Sequence, residues 1–164
     1  MRNADEIDAL AAALGQAALR RRVRIATAES CTGGLVAAAI TSVAGSSDWF
    51  DRGFVVYANA AKVEALGVSP ATLERFGAVS TETALAMAQG ALRRSEAQWS
   101  VSVTGIAGPG GGSPGKPVGT VCFAWAGPGT AEALRTRLEG DRAQVREASV
   151  RIALQGLLDR LSRA

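Results

Sequence analysis

The feature of this sequence that most restricts its fold is the alternation of two kinds of segment along the chain. Short runs of small and β-branched apolar residues, typical of buried strands, alternate with segments that carry apolar residues every three or four positions, typical of amphipathic helices. Helix signals separate the segments. Ser69 and Ser80 are typical helix caps, and Gly67 is typical of a helix end. This order restricts the chain to folds in which helices pack on a sheet.

The order of the segments predicts the architecture in more detail. A late Gly127-Pro128-Gly129 turn joins two strands as a hairpin, whereas helices and strands alternate before it. We therefore expect one α/β domain over residues 1–164, a three-layer α/β/α sandwich with a mixed, mostly parallel sheet. The predicted strands are 23–28, 53–57, 99–104, 118–126 and 132–138, and the predicted helices are 5–20, 32–43, 60–66, 70–76, 82–94 and 141–161.

The absence of histidine excludes several kinds of chemistry. Ser-His-Asp and Cys-His catalysis and histidine-metal sites are not available within one chain. Two cysteines, Cys31 and Cys122, are too few for a structural zinc site, so we expect reduced thiols, no metal and no cofactor. Only two of the 18 basic residues are lysines, Lys62 and Lys116. Lysine can lose its proton where arginine cannot, although a lineage preference for arginine explains the numbers equally well.

Charge and hydropathy limit the partners. The net charge is +3, and the densest basic run, residues 20–24, suits the positive end of the first helix. A nucleic-acid patch is the alternative, but aromatic stacking residues are absent nearby, so we expect no nucleic-acid partner. No apolar run reaches the roughly 18 residues that cross a bilayer, and the first six residues are too acidic for a secretory signal. We expect a cytoplasmic protein without membrane contact.

A turn after the first strand is the first candidate site. Ser30 follows the strand, and Gly33 and Gly34 open the next helix. Backbone amides at such a helix start bind a phosphate or an oxyanion, which makes Ser30 a candidate nucleophile. An ordinary turn in which Thr32 caps the helix is the alternative. Cys31 is a weaker candidate nucleophile because no base of the usual type is available to it.

A second strand end supplies a candidate base. Tyr57 ends the strand, and a short helix that Asn59 can cap carries Lys62. Carboxyl ends of parallel strands share one edge of a sheet, so Ser30 and Lys62 can converge there. Lowering a lysine pKa from ~10.4 to near 7–8 costs about 4 kcal/mol, which burial can supply. Glu29 competes for this role, but on an extended segment it points away from Ser30, so we expect it to be structural.

A glycine-rich loop over residues 104–116 follows the third strand. Its spacing fits neither a P-loop nor a dinucleotide-binding motif. The loop is either a flexible connector or part of a binding site in which Lys116 or an arginine contacts a phosphate. Its length in a small domain favours the binding site. Asp141 and Gln144 form a capping-box pattern at the start of the last helix. Arg142 lies in that first turn against the helix dipole, and faces either a ligand anion or solvent.

Six motifs in this order resemble the CinA C-terminal domain family, the nicotinamide-nucleotide amidohydrolases. The resemblance extends from about residue 5 to residue 160. It is carried by Thr27–Gly34, Gly53–Asn59 with Lys62, Gly77–Ser80, Thr104–Pro109, Lys116–Val121 and Gly140–Arg142.

The resemblance implies a fold, a reaction and a set of site residues. The fold is α/β/α with a five- or six-stranded sheet. The reaction is the metal-free conversion of nicotinamide mononucleotide to nicotinic acid mononucleotide and ammonia, in the recycling of NAD. The implied partners are the nucleotide substrate and further copies of the chain in a homo-oligomer. Ser30 would be the nucleophile, Lys62 the base and Tyr57 a supporting residue. The expected substrate-binding residues are Cys31, Thr32, Gly33, Gly34, Asn59, Thr104, Gly105, Gly108 and Arg142.

Three other functions stay open at this point. A nucleotide-binding or sensing module of the same fold would use the same pocket without turnover. A DNA-associated role would use the arginine run. A family member with a changed substrate would keep the chemistry, because a motif supports a reaction more firmly than a substrate.

Overall fold

The computed structural model of the chain describes residues 3–163, in which six α-helices and five strands occur. The helices are α1 (Asn3–Arg21), α2 (Leu35–Thr41), α3 (Asn59–Leu66), α4 (Pro70–Phe76), α5 (Thr81–Arg93) and α6 (Arg142–Arg163). The strands are β1 (Ile25–Glu29), β2 (Phe50–Val55), β3 (Trp99–Gly105), β4 (Thr120–Gly127) and β5 (Thr130–Arg137).

The five strands form one mixed sheet in the order β2-β1-β3-β4-β5. β1 pairs in parallel with β2 and β3, whereas β4 is antiparallel to both of its neighbours, so four strands run in one direction and β4 in the other. This confirms the expected mixed sheet and its late hairpin. The carboxyl ends of β1, β2 and β3 meet at one edge, where ligands of open α/β sheets bind.

Helices cover both faces of the sheet, which confirms the three layers. α1, α2 and α6 cover one face, and α3, α4 and α5 the other. β3 shows how its alternating residues serve the two sides: Val101 and Val103 point into the core under α6, while Ser100 and Ser102 donate to carbonyls of α5 at 2.7 and 2.6 Å. No helix within residues 3–163 combines the length and the apolar character that crossing a membrane requires.

Local helix signals predicted several boundaries correctly. The Ser69 and Ser80 hydroxyls cap α4 and α5, and Gly67 ends α3 with a positive φ of 69°. Asp141 and Gln144 exchange the two hydrogen bonds of a capping box, at 2.9 and 2.8 Å. The predicted limits of the second strand, 53–57, were wrong. β2 begins at residue 50 because it pairs with β1 from the first residue of that strand onward.

Candidate active site

The structure brings Ser30 and Lys62 together at the carboxyl edge of the sheet. Ser30 directly follows β1, and its amide donates to Val103 O of β3 at 2.9 Å, which fixes it at the strand end. Lys62 lies in α3, and its Nζ is 3.2 Å from Ser30 Oγ. The two residues are 32 positions apart in the sequence, so this contact depends on the parallel pairing of β1 with β2.

The surroundings of Lys62 make its ammonium less stable than that of an exposed lysine. The side chain is 1% exposed. Its Nζ donates to Val56 O at 3.0 Å and to Tyr57 O at 3.2 Å, and no carboxylate of the described residues pairs with it. Burial lowers the pKa of Lys62 below its ordinary 10.5, because desolvation disfavours the ammonium, and Cys31 opposes this effect. The geometry therefore provides a serine hydroxyl beside an amine that can accept its proton.

The two residues lie in the wall of a cavity of about 260 Å³ at the sheet edge. Most of the predicted site residues line it: Ser30, Cys31, Tyr57, Asn59, Lys62, Thr104, Gly105, Gly108 and Arg142. The predicted role of Asn59 as a helix cap was wrong, because Asn59 is the first residue of α3 and Ala58 holds the cap position without a side-chain hydrogen bond.

The other three predicted binding residues, Thr32, Gly33 and Gly34, do not line this cavity. The prediction that a helix starts at Thr32 was wrong as well. Gly33 and Gly34 have φ angles of 58° and 104°, which prolong the turn, so α2 begins at Leu35. Thr32 is buried, and its hydroxyl donates to Glu29 Oε1 at 2.6 Å instead of accepting from a helix amide.

Glu29 has the structural role that strand alternation predicted. Its carboxylate is 1% exposed and accepts from the amides of Val36 at 2.8 Å and Ala37 at 3.0 Å. A negative charge at the start of α2 satisfies helix amides that have no acceptor within the helix. Glu29 thereby holds α2 against the turn that carries Ser30.

Tyr57 and Arg142 form a polar pair at the cavity mouth. Tyr57 is 62% exposed, and its hydroxyl accepts from Arg142 Nη2 at 3.1 Å. Arg142 Nη1 donates to Gly108 O at 2.8 Å, which connects α6 to the glycine-rich loop. Tyr57 contacts Lys62 through its backbone carbonyl rather than its hydroxyl. Lys116, which sequence analysis offered as a phosphate ligand, lies outside the cavity lining and donates to Phe76 O at 2.7 Å.

Arg146 is a residue of the site region that sequence analysis missed. Its Nε donates to Cys31 O at 3.1 Å and its Nη2 to Thr32 O at 3.4 Å, so it holds the turn after Ser30. The available signal was helical spacing: Arg146 follows Arg142 by four positions and therefore shares its face of α6. Six cavity-lining residues, all small or apolar, were also missing from the predicted site residues: Ala78, Val79, Ile106, Ala107, Gly110 and Gly111.

Cys31 is a poor rival nucleophile in this structure. It is buried beside Ser30, and burial raises the pKa of its thiol from 9.0 to about 11. The thiol is therefore protonated near neutral pH, and the thiolate is the reactive form. Within residues 3–163, no three cysteine or carboxylate side chains are grouped so that they could hold a metal ion.

Known proteins share this sequence and this fold. The CinA C-terminal domain model matches residues 7–161. The chain is 49% identical over 154 residues to the nicotinamide-nucleotide amidohydrolase PncC of Pseudomonas putida, covering 94% of this chain and 96% of that protein. It is 50% identical over 153 residues to the protein of the same name from Escherichia coli K12, covering 93% of each. The crystal structure of the competence/damage inducible protein CihA from Agrobacterium tumefaciens superimposes with a TM-score of 0.93 at 48% identity, over 96% of each chain. With its sequence and its fold in agreement, the chain belongs to the CinA C-terminal domain family.

Proposed function

We propose that this protein hydrolyses the carboxamide of nicotinamide mononucleotide to nicotinic acid mononucleotide and ammonia, in the recycling of pyridine nucleotides. Ser30 is the nucleophile and Lys62 the base. The observation that carries the proposal is the 3.2 Å contact between Ser30 Oγ and the buried Nζ of Lys62 in the wall of a cavity. The substrate class is supported by relatives of about 50% identity that are named for this reaction.

The reaction proceeds through an ester on Ser30. Neutral Lys62 takes the hydroxyl proton as Ser30 Oγ attacks the carboxamide carbon, which forms a tetrahedral intermediate. The ammonium of Lys62 returns that proton to the nitrogen as the C–N bond breaks, and ammonia leaves. Water then attacks the ester carbon with Lys62 again as base. The bond to Ser30 Oγ breaks, Lys62 returns the proton to Oγ, and nicotinic acid mononucleotide leaves. The carbonyls of Val56 and Tyr57 keep Nζ in place throughout.

Backbone amides of the glycine-rich loop are the proposed oxyanion donors. Several other amides near the nucleophile are already used: that of Ser30 by Val103 O, that of Gly33 by Ser30 O and that of Ile106 by Thr120 O. The amides of Ala107 and Gly108 have no acceptor among the described residues, and both residues line the cavity. Donors fixed before reaction stabilise the developing charge without reorganisation.

Lys62→Arg tests the base assignment. Arginine keeps the positive charge but does not deprotonate, so we expect ammonia release from nicotinamide mononucleotide to fall by at least about a hundredfold. The assay contains EDTA, so that a contaminating metal enzyme does not contribute. Ser30→Ala removes the nucleophile and serves as the matched control. Calorimetric binding of the substrate to this variant tests whether the cavity still forms. Near-wild-type turnover by Lys62→Arg contradicts the assignment.

The same assay separates the alternatives. A wild-type protein that binds nicotinamide mononucleotide without releasing ammonia is a binding or sensing module. Release from another amide of the pyridine-nucleotide class, but not from this one, indicates a changed substrate. Hydroxylamine added during turnover should yield the hydroxamic acid of the product, which is the signature of an ester intermediate.

A further inference from the structure

We infer that Lys116 is a positioning residue for substrate binding, which clamps the glycine-rich loop to the α4–α5 connector and so sets the width of the cavity. In the structure the part of the loop outside β3 and β4 is residues 106–119. The connector is residues 77–80 together with Phe76, the last residue of α4. The inference rests on the proposed function in one respect, since it takes the cavity as the substrate site. It assigns a role to the second of the two lysines, which the reaction itself does not use.

The loop has backbone hydrogen bonds at its base and at its far end. At its base, the Ile106 amide donates to Thr120 O at 2.9 Å and the Gly119 amide to Ile106 O at 2.7 Å. At its far end, Ser113 and Lys116 exchange two backbone hydrogen bonds of 2.9 and 3.1 Å. A displacement of Lys116 therefore also displaces Ser113, which follows the cavity-lining Gly111 by two positions.

The connector is held by side chains at three successive carbonyls, residues 76–78. Ser80 Oγ and Thr83 Oγ1 donate to Gly77 O at 3.0 and 2.7 Å. Thr104 Oγ1 donates to Ala78 O at 2.8 Å. Lys116 Nζ donates to Phe76 O at 2.7 Å. Of these four donors, only Lys116 comes from residues 106–119, because Thr104 belongs to β3. Its ammonium therefore joins two segments that are otherwise anchored separately.

Both joined segments line the cavity. The connector contributes Ala78 and Val79, and the loop contributes Gly110 and Gly111 among others. The clamp also explains a lysine in a chain that otherwise uses arginine. Gly77 has a φ of 80°, and a Cβ at this residue would lie 3.1 Å from Nζ, so the connector leaves little room around the compact ammonium. A planar guanidinium is larger and needs a different donor geometry.

Loss of the clamp should weaken substrate binding and leave the chemical step in place. Ser30 and Lys62 are positioned by β1, β3 and α3, and within residues 3–163 Lys116 has no hydrogen bond to any of these elements. We expect Lys116→Met to raise KM about tenfold or more, as the loss of a hydrogen bond to a charged group would do, with kcat within about threefold of wild type. The pKa on the acid limb of kcat/KM should not move, because that limb reports Lys62.

The test compares Lys116→Met with Arg137→Met. Arg137 is an exposed cation on β5, and its side chain has no hydrogen-bond or ion-pair partner within the described residues. KM and kcat are measured for both variants, together with the calorimetric Kd of nicotinic acid mononucleotide, which needs no turnover. A merely structural Lys116 would lower the active fraction in a burst titration and leave KM unchanged. Equal KM and Kd in the two variants would overturn the inference.

A chemical rescue keeps the inference testable if Lys116→Met folds poorly. Lys116→Cys treated with 2-bromoethylamine carries an ammonium on a side chain of nearly the original length, and wild-type protein treated identically controls for reaction at the native cysteines. Recovery of the wild-type KM and Kd supports the clamp, whereas an unchanged defect refutes it. A wild-type protein without ammonia release contradicts the proposed function alone, since the Kd comparison still tests the clamp.

Discussion

Lys62 gives this protein a pH-dependent stability whose slope follows from its burial. In the unfolded chain the pKa of the amine has its ordinary value of 10.5, and burial lowers it in the folded state. Below the folded pKa both states are protonated, and the buried ammonium destabilises the fold by a constant amount. Between the folded pKa and 10.5 the unfolded chain binds more protons, so the free energy of unfolding rises by about 1.4 kcal/mol per pH unit.

Lys62→Met removes this contribution and also three hydrogen bonds, which shift the free energy of unfolding by an amount independent of pH. The difference between wild type and variant should therefore be flat at low pH and rise above the folded pKa. Cys31 sets the upper limit of the useful range. Its pKa is raised from 9.0 to about 11, so between these values the folded state binds more protons and stability falls as pH rises. Measurements below 9.0 isolate Lys62.

The assay is urea denaturation of both proteins in steps from about pH 6 upward, with kcat/KM of the wild type measured in the same buffers. The acid limb of kcat/KM should have its pKa where the stability difference begins to rise, because both report one amine in the free enzyme. If kcat/KM has an acid limb within this pH range while the stability difference stays flat, the limb belongs to another group. That result would refute Lys62 as the base.

Two further predictions concern the scaffold of the site. Glu29→Gln should lower the free energy of unfolding by about 2 kcal/mol, because two amides of α2 lose a charged acceptor. Urea denaturation at neutral pH measures this loss, and a loss under about 0.5 kcal/mol contradicts the structural role of Glu29. Gly156→Ala should cost about 1–3 kcal/mol despite the better helix propensity of alanine, because a Cβ there would overlap the Trp125 ring. Gly115→Ala, which meets nothing within 4 Å, is the control, and an equal Tm for the two variants contradicts the packing argument.

The sequence predicted best what short-range interactions decide. The cap hydroxyls of Ser69 and Ser80 bond to amides two or three residues away, and the pattern of Asp141 and Gln144 closes within one helical turn. Such signals are complete within a few residues, so they can be read without knowledge of the fold. The element order and the late hairpin follow from them, and the resemblance to the CinA family agrees with the same order.

The errors at the turn after β1 show where local reading fails. Thr32 carries a good capping side chain, but a better acceptor, the buried Glu29 carboxylate, takes both the α2 amides and the threonine hydroxyl. The role of Arg146 depends on α6 packing beside this turn, more than a hundred residues away in sequence. Neither competition nor packing of this kind is visible in a short window of sequence.

The sequence by itself determined the chemical repertoire of this protein: no histidine, two lysines and a serine at a strand end. Only the tertiary structure decided which of the two lysines meets that serine. Parallel pairing of β1 with β2 carries α3 and Lys62 to Ser30, whereas Lys116 is turned to Phe76 O. It also decided the proton affinity of the amine. A lysine pKa falls when water is excluded from the side chain, and that exclusion is produced by elements that are distant in sequence and adjacent in the fold.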